Sequence, residues 1–239
     1  MIDVHCHILP NIDDGAQCAL DSLNLMEEAY ENGFSEIITT SHFISNGRFQ
    51  ASIDERKEII DSFKEVLKQK GINLRLYNGA EAYITPDLPQ LYVDNVIPTM
   101  ANSRYVLFEL PMSQKPVYTE NVINELINMG YLPIIAHPER YDYVKEDVNV
   151  ALRWIELGAY LQCNYGSLVG NYGMHAKKTL QKLLKEDAVT FLGTDTHMPN
   201  TNYCNIDKMI KVLKKEVNEE KVDALTFKNP EKIILDKAI

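Results

Sequence analysis

The sequence predicts an α/β protein, a distorted seven-stranded TIM-like β/α barrel forming a single domain over residues 1–239. Three observations point there. Seven short apolar runs are each followed by helical sequence, the pattern of a parallel sheet with crossover helices. Those runs are nearly continuously apolar, as strands covered on both faces should be. No Gly/Ser- or Pro-rich linker divides the 239 residues, and a chain of that length suits one barrel. An open doubly wound sheet is the alternative. It would carry a Gly-rich phosphate loop after its first strand, where this chain reads HCHILPNIDDG.

The first run covers residues 1–8, and a helical stretch over 20–32 follows, stopped by Gly33. Residues 35–43, SEIITTSHF, contain a buried strand. Over 52–70, Ile53, Ile59, Ile60, Phe63, Val66 and Leu67 recur at helical spacing with charges between them, and Gly71 ends the helix. Residues 72–83 form the third strand, and TPDLPQLYVDN a short helical or irregular connection. RYVLFELP at 104–111 is the fourth strand, with a helix over 117–129 closing at Gly130. LPIIAHPE at 132–139 is the fifth, with a helix over 144–157 closing at Gly158. AYLQCNY at 159–165 is the sixth, with a helix over 174–186. AVTFLGTDTH at 188–197 is the seventh, followed by a helix near 206–217 and a C-terminal segment.

Composition removes several classes of function. Hydrophobic residues at 45% and charged residues at 24% are those of a globular chain. Against 24 Lys+Arg stand 34 Asp+Glu, a formal net charge of -10. That balance disfavours nucleic acid as a partner, and bound divalent cations would offset part of it. No apolar run approaches the length of a membrane span, so no membrane insertion is expected. The start MIDVHCHILPNIDD lacks the features of a signal peptide. The four cysteines, with no CxxC pair, read as reduced thiols of a cytoplasmic protein.

Polar residues gather at the C-terminal ends of the strands, the rim where barrel enzymes build their sites. They are His5 and His7, Asp13 and Asp14 in the next loop, His42, Glu81, Glu109, His137, and finally Asp195 and His197. Five of the six histidines fall in this set. Histidine and carboxylate are ligands for divalent metals such as zinc, manganese and iron. His5 and His7 stand two apart on a strand and face the same way, and Asp195 and His197 repeat that geometry. These two pairs with Asp14, His42, Glu81, Glu109 and His137 supply about nine ligands where one ion takes roughly four to six, which favours two or three ions sharing carboxylates. HxH or DxH alone is weak, and a lone strand histidine is more often packed structure. The joint arrangement is what speaks for metal. His175 stands apart as a surface residue.

Arg140, just past the fifth strand in HPER, can reach over the same rim, where a guanidinium suits a phosphate ester. A salt bridge to Glu139 or Asp142 fits the same position. Arg48, Arg104 and Lys115 rank lower. A cysteine-based phosphatase loop, Cys-x5-Arg, is absent: six residues beyond the cysteines stand Ile12, Asn24, Val169 and Ile210. No G-x-S-x-G elbow or phosphate-binding P-loop occurs either. Hydrolysis through metal-activated hydroxide is what remains.

These motifs resemble the polymerase-and-histidinol-phosphatase (PHP) superfamily almost from end to end: HxH, Asp-Asp-Gly, SH at 41–42, GAE at 79–81, FEL at 108–110, AHPER at 136–140 and DTH at 195–197. Within it, MIDxHxHIxxxxDDG, YNGAExYxTPDL, IPTxxxSRYxLxE and IAHPERY are most similar to the bacterial tyrosine-protein phosphatases of capsule and exopolysaccharide loci. The resemblance implies a trinuclear centre of three divalent ions, manganese first, with iron, zinc or magnesium as alternatives. One ion would take His5, His7, Glu81 and Asp195. Glu81 would bridge to a second, held also by Glu109 and His137. A third would take Asp14, His42 and His197. The implied catalytic residues are Arg140, neutralising phosphoryl charge, Asp195, and Asp13 in a supporting or proton-handling role. The implied substrate is the phosphotyrosine tail of a cytoplasmic-facing bacterial tyrosine autokinase that controls polysaccharide synthesis. One departure stands out: members commonly carry a second arginine in the loop after DxH, and here 198–208 reads MPNTNYCNIDK, leaving Lys208 or Arg48 as substitutes. A histidinol-phosphate or other small-molecule phosphatase, and a non-catalytic kinase-binding regulator, are the rival readings. A metal-dependent nuclease conflicts with the acidic charge.

Overall fold

The computed structural model describes residues 1–45 and 47–239. Its strands are β1 (Ile2–Asp3), β2 (Glu36–Ile38), β3 (His42–Phe43), β4 (Arg75–Tyr77), β5 (Glu81–Tyr83), β6 (Tyr105–Glu109), β7 (Leu132–Ala136), β8 (Tyr160–Asn164) and β9 (Phe191–Gly193). All pairings between them are parallel, in one sheet of order β1-β2-β4 and another of order β3-β5-β6-β7-β8-β9. The expected parallel α/β organisation is present, but the second and third β-runs are each divided, around residues 39–41 and 78–80. The two breaks lie against each other: a Cβ on Gly79 would stand 3.1 Å from both Ile38 Cγ2 and Thr39 O. The residues after β1 and β9 draw the sheets together. Cys6 bridges Thr196, His7 N donates to Thr196 O at 2.9 Å, Asp195 N to His5 O at 2.7 Å, and Thr40 N to Cys6 O at 3.0 Å.

The first β-run pairs as a strand only over Ile2–Asp3. Beyond it the His5 amide donates to the buried Asp3 carboxylate at 3.2 Å, and backbone pairing resumes at the isolated Cys6–Thr196 bridge. The helices between strands are α1 (Ala19–Glu31), α2 (Ile53–Gln69), α3 (Leu88–Val93), α4 (Thr119–Asn128), α5 (Asp142–Glu146), α6 (Asn149–Glu156), α7 (Tyr165–Val169) and α8 (Gly173–Lys185), with α9 (Ile206–Glu216), α10 (Glu219–Asp223) and α11 (Asn229–Ile234) following β9. The single helix expected over 144–157 is two. Asp147 is extended, and its Oδ1 accepts from Asn149 N at 3.0 Å, starting α6 afresh. Among the described residues no helix is long and apolar enough to cross a membrane.

Alternate strand residues separate two cores, as a period of two requires. Ile2, Val4, Ile38, Tyr105, Leu107, Ile134, Ala136 and Phe191 form the inner cluster with Met100 and Ile233. Val106, Phe108, Ile135, Leu161, Cys163 and Leu192 face outward into the larger cluster beneath the helices. The inner face turns polar toward the strands' C-terminal ends.

Candidate metal centre

Five of the predicted ligands are placed in that polar layer by their position at a strand end. His42 opens β3 directly opposite Glu81, which opens β5. Glu109 ends β6 in the alternation set by Tyr105 and Leu107. His137 follows β7 in the left-handed region at φ 34, ψ 50, and Asp195 follows β9 at φ 50. Non-glycine residues adopt such conformations at a cost of order 1–3 kcal/mol, a strain that clusters at functional sites. Gly193 is required by close approach, because a Cβ there would stand 2.5 Å from His5 Cβ.

The ligand atoms converge. His5 Nε2 and His7 Nε2 lie 3.2 Å apart. Both face Glu81 Oε2, at 3.2 and 3.3 Å, and Asp195 Oδ1, at 3.6 and 3.5 Å. His137 Nε2 is 2.9 Å from Glu81 Oε1 and 3.8 Å from Glu109 Oε2. His42 turns Nδ1 toward Glu81 Oε2 and Glu109 Oε1, at 3.2 and 3.4 Å, and Nε2 toward Asp14 Oδ1 at 3.6 Å. His197 Nε2 is 3.4 Å from the same Asp14 oxygen. Among the described residues, three groups have ligand atoms all within 4.8 Å of one another: His5, His7 and Glu81; His42, Glu81 and Glu109; and His7, Asp14, His42 and His197. The division implied by the resemblance overlaps these groups only in part, since Asp195 and His137 are in none of them. His42 also faces the Glu81–Glu109 pair, and His7 also joins the Asp14 group.

The residues present fit divalent ions on three grounds. At a ligand distance of ~2.1 Å, neighbouring ligands stand ~3.0 Å apart around an octahedral ion and ~3.4 Å around a tetrahedral one. The separations of 3.2 to 3.6 Å around His5, His7, Glu81 and Asp195 match those edges. Glu81 Oε2 and His42 Nδ1 are buried at the centre without a hydrogen-bond partner, which native interiors rarely tolerate. Finally, five carboxylates, those of Asp13, Asp14, Glu81, Glu109 and Asp195, crowd the cluster, and among the described residues the one arginine that ion-pairs with any of them is Arg140, through Asp195. The pKa directions express that crowding. Burial and the Glu81 charge push Glu109 up to about 9. Burial opposes the His5 charge, but Glu81 and Asp195 overcome it and raise His5 to about 9. Burial draws His42 down to about 4.

Asp13 stands behind the cluster. Its Oδ2 accepts from His7 Nδ1 at 2.8 Å and His42 N at 2.9 Å, and its Oδ1 from Gly15 N at 3.0 Å. These bonds leave His7 Nε2 aimed at the other ligands. Arg140 Nη1 donates to Asp195 Oδ2 at 2.6 Å, so its partner is neither Glu139 nor Asp142. Its guanidinium carbon lies 4.5 Å over the Tyr172 ring, and its side chain is 25% exposed. In the loop lacking arginine, buried Asn202 donates to Thr194 O at 2.7 Å and Asn200 N to the Glu28 carboxylate. Arg48 and Lys208 are exposed.

Sequence reasoning passed over the sixth strand. Gln162 Oε1 accepts from His5 Nδ1 at 2.6 Å, and Asn164 Nδ2 donates to Asp195 Oδ2 at 2.6 Å. Glu139, fully buried, accepts from Asn164 N and Ser167 Oγ. The signal was readable: Tyr160, Gln162 and Asn164 alternate onto one face, and two are polar.

The chain matches, over residues 1–235, the family described as "Capsular polysaccharide synthesis, CpsB/CapC". It belongs to the CpsB/CapC family. Its relatives include the tyrosine-protein phosphatase YwqE of Bacillus subtilis, 31% identical over 239 residues and covering 100% of this chain and 93% of YwqE. The putative tyrosine-protein phosphatase CapC of Staphylococcus aureus is 32% identical over 197 residues, covering 82% of this chain and 77% of CapC. A solved structure from the pair YwqE of Bacillus subtilis and CpsB of Streptococcus pneumoniae, described as unique metal-dependent tyrosine phosphatases, superposes with a TM-score of 0.93. It is 30% identical, covering 100% of this chain and 96% of that one. The histidinol phosphate phosphatase of Lactococcus lactis, solved with zinc, L-histidinol and phosphate, superposes at 0.58 with 16% identity over 90% of this chain and 93% of its own, a likeness of fold alone.

Proposed function

We propose that this CpsB/CapC family member is a metal-dependent tyrosine-protein phosphatase whose centre holds three divalent ions, manganese first among them. The observation that carries the reading is the nest of imidazole and carboxylate atoms at metal-edge separations around the partnerless Glu81 Oε2. The full-length likeness to tyrosine phosphatases supports it. The ligands would be His5, His7, Asp14, His42, Glu81, Glu109, His137, Asp195 and His197. Residues 1–239 are read as one domain, and the two sheets as one distorted barrel of seven strands, two of them broken.

Divalent ions in such a centre supply charge neutralisation for phosphoryl oxygens and a water acidic enough to be deprotonated near neutral pH. The chain supplies the rest. Arg140, held by Asp195 and Tyr172, directs its remaining donors to the phosphoryl oxygens, whose charge grows toward the transition state. Gln162 fixes the His5 tautomer through Nδ1, and Asp13 does the same for His7, so both present Nε2. Asp13, tied by three hydrogen bonds, orients rather than shuttles protons. Tyrosine leaves as a phenolate of pKa about 10, so the leaving group needs little protonation. The proposed substrate is the phosphotyrosine tail of a bacterial tyrosine autokinase acting in capsular polysaccharide synthesis, met in the cytoplasm.

Manganese-loaded protein tests this against a phosphotyrosine peptide, a phosphoserine peptide and histidinol phosphate, each with a chelator control. Chelator-sensitive release chiefly from phosphotyrosine is the expected result. A preference for histidinol phosphate would overturn the protein substrate, and no release from metal-loaded protein would overturn the enzyme.

A further inference from the structure

Arg56 is fully buried, yet its hydrogen bonds all run to backbone carbonyls. Nε donates to Ala51 O at 3.0 Å, Nη1 to Ser41 O at 3.0 Å and Gly79 O at 3.3 Å, and Nη2 to His42 O at 2.8 Å. Among the described residues no ion pair joins it to a carboxylate. Its acceptors are not scattered. Ser41 ends the break between β2 and β3, His42 follows it, and Gly79 lies in the break between β4 and β5. Continuous strands would place such carbonyls in a ladder, and a break leaves buried acceptors that need donors. Arg56 supplies them from one rigid plane spanning both breaks.

Immediately beyond the breaks, His42 and Glu81 pair directly across β3 and β5, and the Glu81 amide donates to Thr40 O at 3.0 Å. These are the two residues whose partnerless atoms meet at the centre of the cluster. The arm that holds Arg56 is itself fixed. Ser52 and Glu55 form a reciprocal capping box at the start of α2, with Ser52 N donating to Glu55 Oε2 at 2.8 Å and Glu55 N to Ser52 Oγ at 3.2 Å. Ile60, Phe63 and Leu67 bury the same face of the helix. A planar fork of five donors can reach two segments at once, whereas a lysine's three donors share one atom.

We propose that Arg56 is a positioning residue for the metal centre: it ties both strand breaks to α2 and thereby sets His42 and Glu81 at ligand spacing. It touches neither ion nor substrate, and the inference rests on His42 and Glu81 being ligands.

The test compares wild type with Arg56→Lys and Arg56→Met. Three readouts are taken: manganese per chain after dialysis, manganese affinity by titration, and hydrogen exchange of residues 39–43 and 78–83 in metal-free protein. Wild type is expected to retain metal. Arg56→Lys, which keeps the charge but loses the span, is expected to bind manganese ~10-fold or more weakly, the usual effect of losing a group that orients ligands. The two breaks should exchange faster while the KM for a phosphotyrosine peptide on saturating manganese holds. Arg56→Met should exceed both effects, and if it fails to fold Arg56→Lys decides alone. Variants that bind manganese as wild type does, with only a lower Tm, would overturn the positioning role. A wild type that binds no manganese would overturn the ligand assignment and this inference together.

Discussion

Replacing Arg140 with alanine should separate catalysis from metal binding. The guanidinium makes one short charge-assisted bond, Nη1 to Asp195 Oδ2 at 2.6 Å, and presents its remaining donors at the rim. Removing a donor aimed at charge that develops in a transition state costs about 10²- to 10³-fold in kcat, or ~2.7–4 kcal/mol. The folded protein should lose far less. Asp195 keeps Asn164 Nδ2 at 2.6 Å and Tyr172 Oη at 3.5 Å, and a pair with a partly exposed arginine contributes about 1 kcal/mol once solvent screening is counted. In a chain of this length that lowers Tm by about 2–4 °C. The assay is steady-state phosphate release from a phosphotyrosine peptide, with metal content and Tm measured on the same samples. Arg140→Lys should fall between, since it keeps charge but not the planar fork. A variant within about threefold of wild-type kcat/KM would refute the clamp. Lost metal with unchanged turnover per loaded centre would show that Arg140 serves Asp195 rather than substrate.

Three further outcomes follow from the same geometry. Asp13→Asn cannot accept at both oxygens, so it should weaken manganese binding ~10- to 100-fold, read by titration, with turnover of the saturated enzyme largely kept. Gly193→Ala places a methyl 2.5 Å from His5 Cβ and 2.9 Å from Gln162 Nε2; it should cost about 1–3 kcal/mol by denaturant unfolding and lower the metal content. Chelation should abolish turnover and also lower Tm, because a ligand at 100 times its Kd adds about 2.7 kcal/mol per site to the folded state; a Tm indifferent to manganese would contradict the centre.

The parallel α/β plan was legible because its signals are local: apolar runs such as RYVLFELP and LPIIAHPE followed by amphipathic stretches. The convergence of His5, His7, Glu81, Glu109, His137 and Asp195 was legible because a parallel sheet carries its strand ends to one side. The strand breaks were not. Thr39-Thr40-Ser41 and Asn78-Gly79-Ala80 read as strand continuation, and what accompanies their bends, the approach of the two segments and the bonds from Arg56, is tertiary. Arg56 was hidden for a related reason. Within DERKE it looks like a solvated charge, although it lies in phase with Ile60, Phe63 and Leu67 on the buried stripe of α2. Gln162 and Asn164 were passed over because neither is a metal ligand, and their work is to hold those that are. The split of the helix over 144–157 turned on one aspartate capping the next helix, a choice that periodicity does not register.

The most direct test of the account is anomalous diffraction at the manganese edge from crystals grown with manganese. The account predicts three peaks inside the cluster: one among His5, His7, Glu81 and Asp195, one beside Glu81, Glu109 and His137, and one among Asp14, His42 and His197. No peak, or peaks away from Glu81, would contradict it.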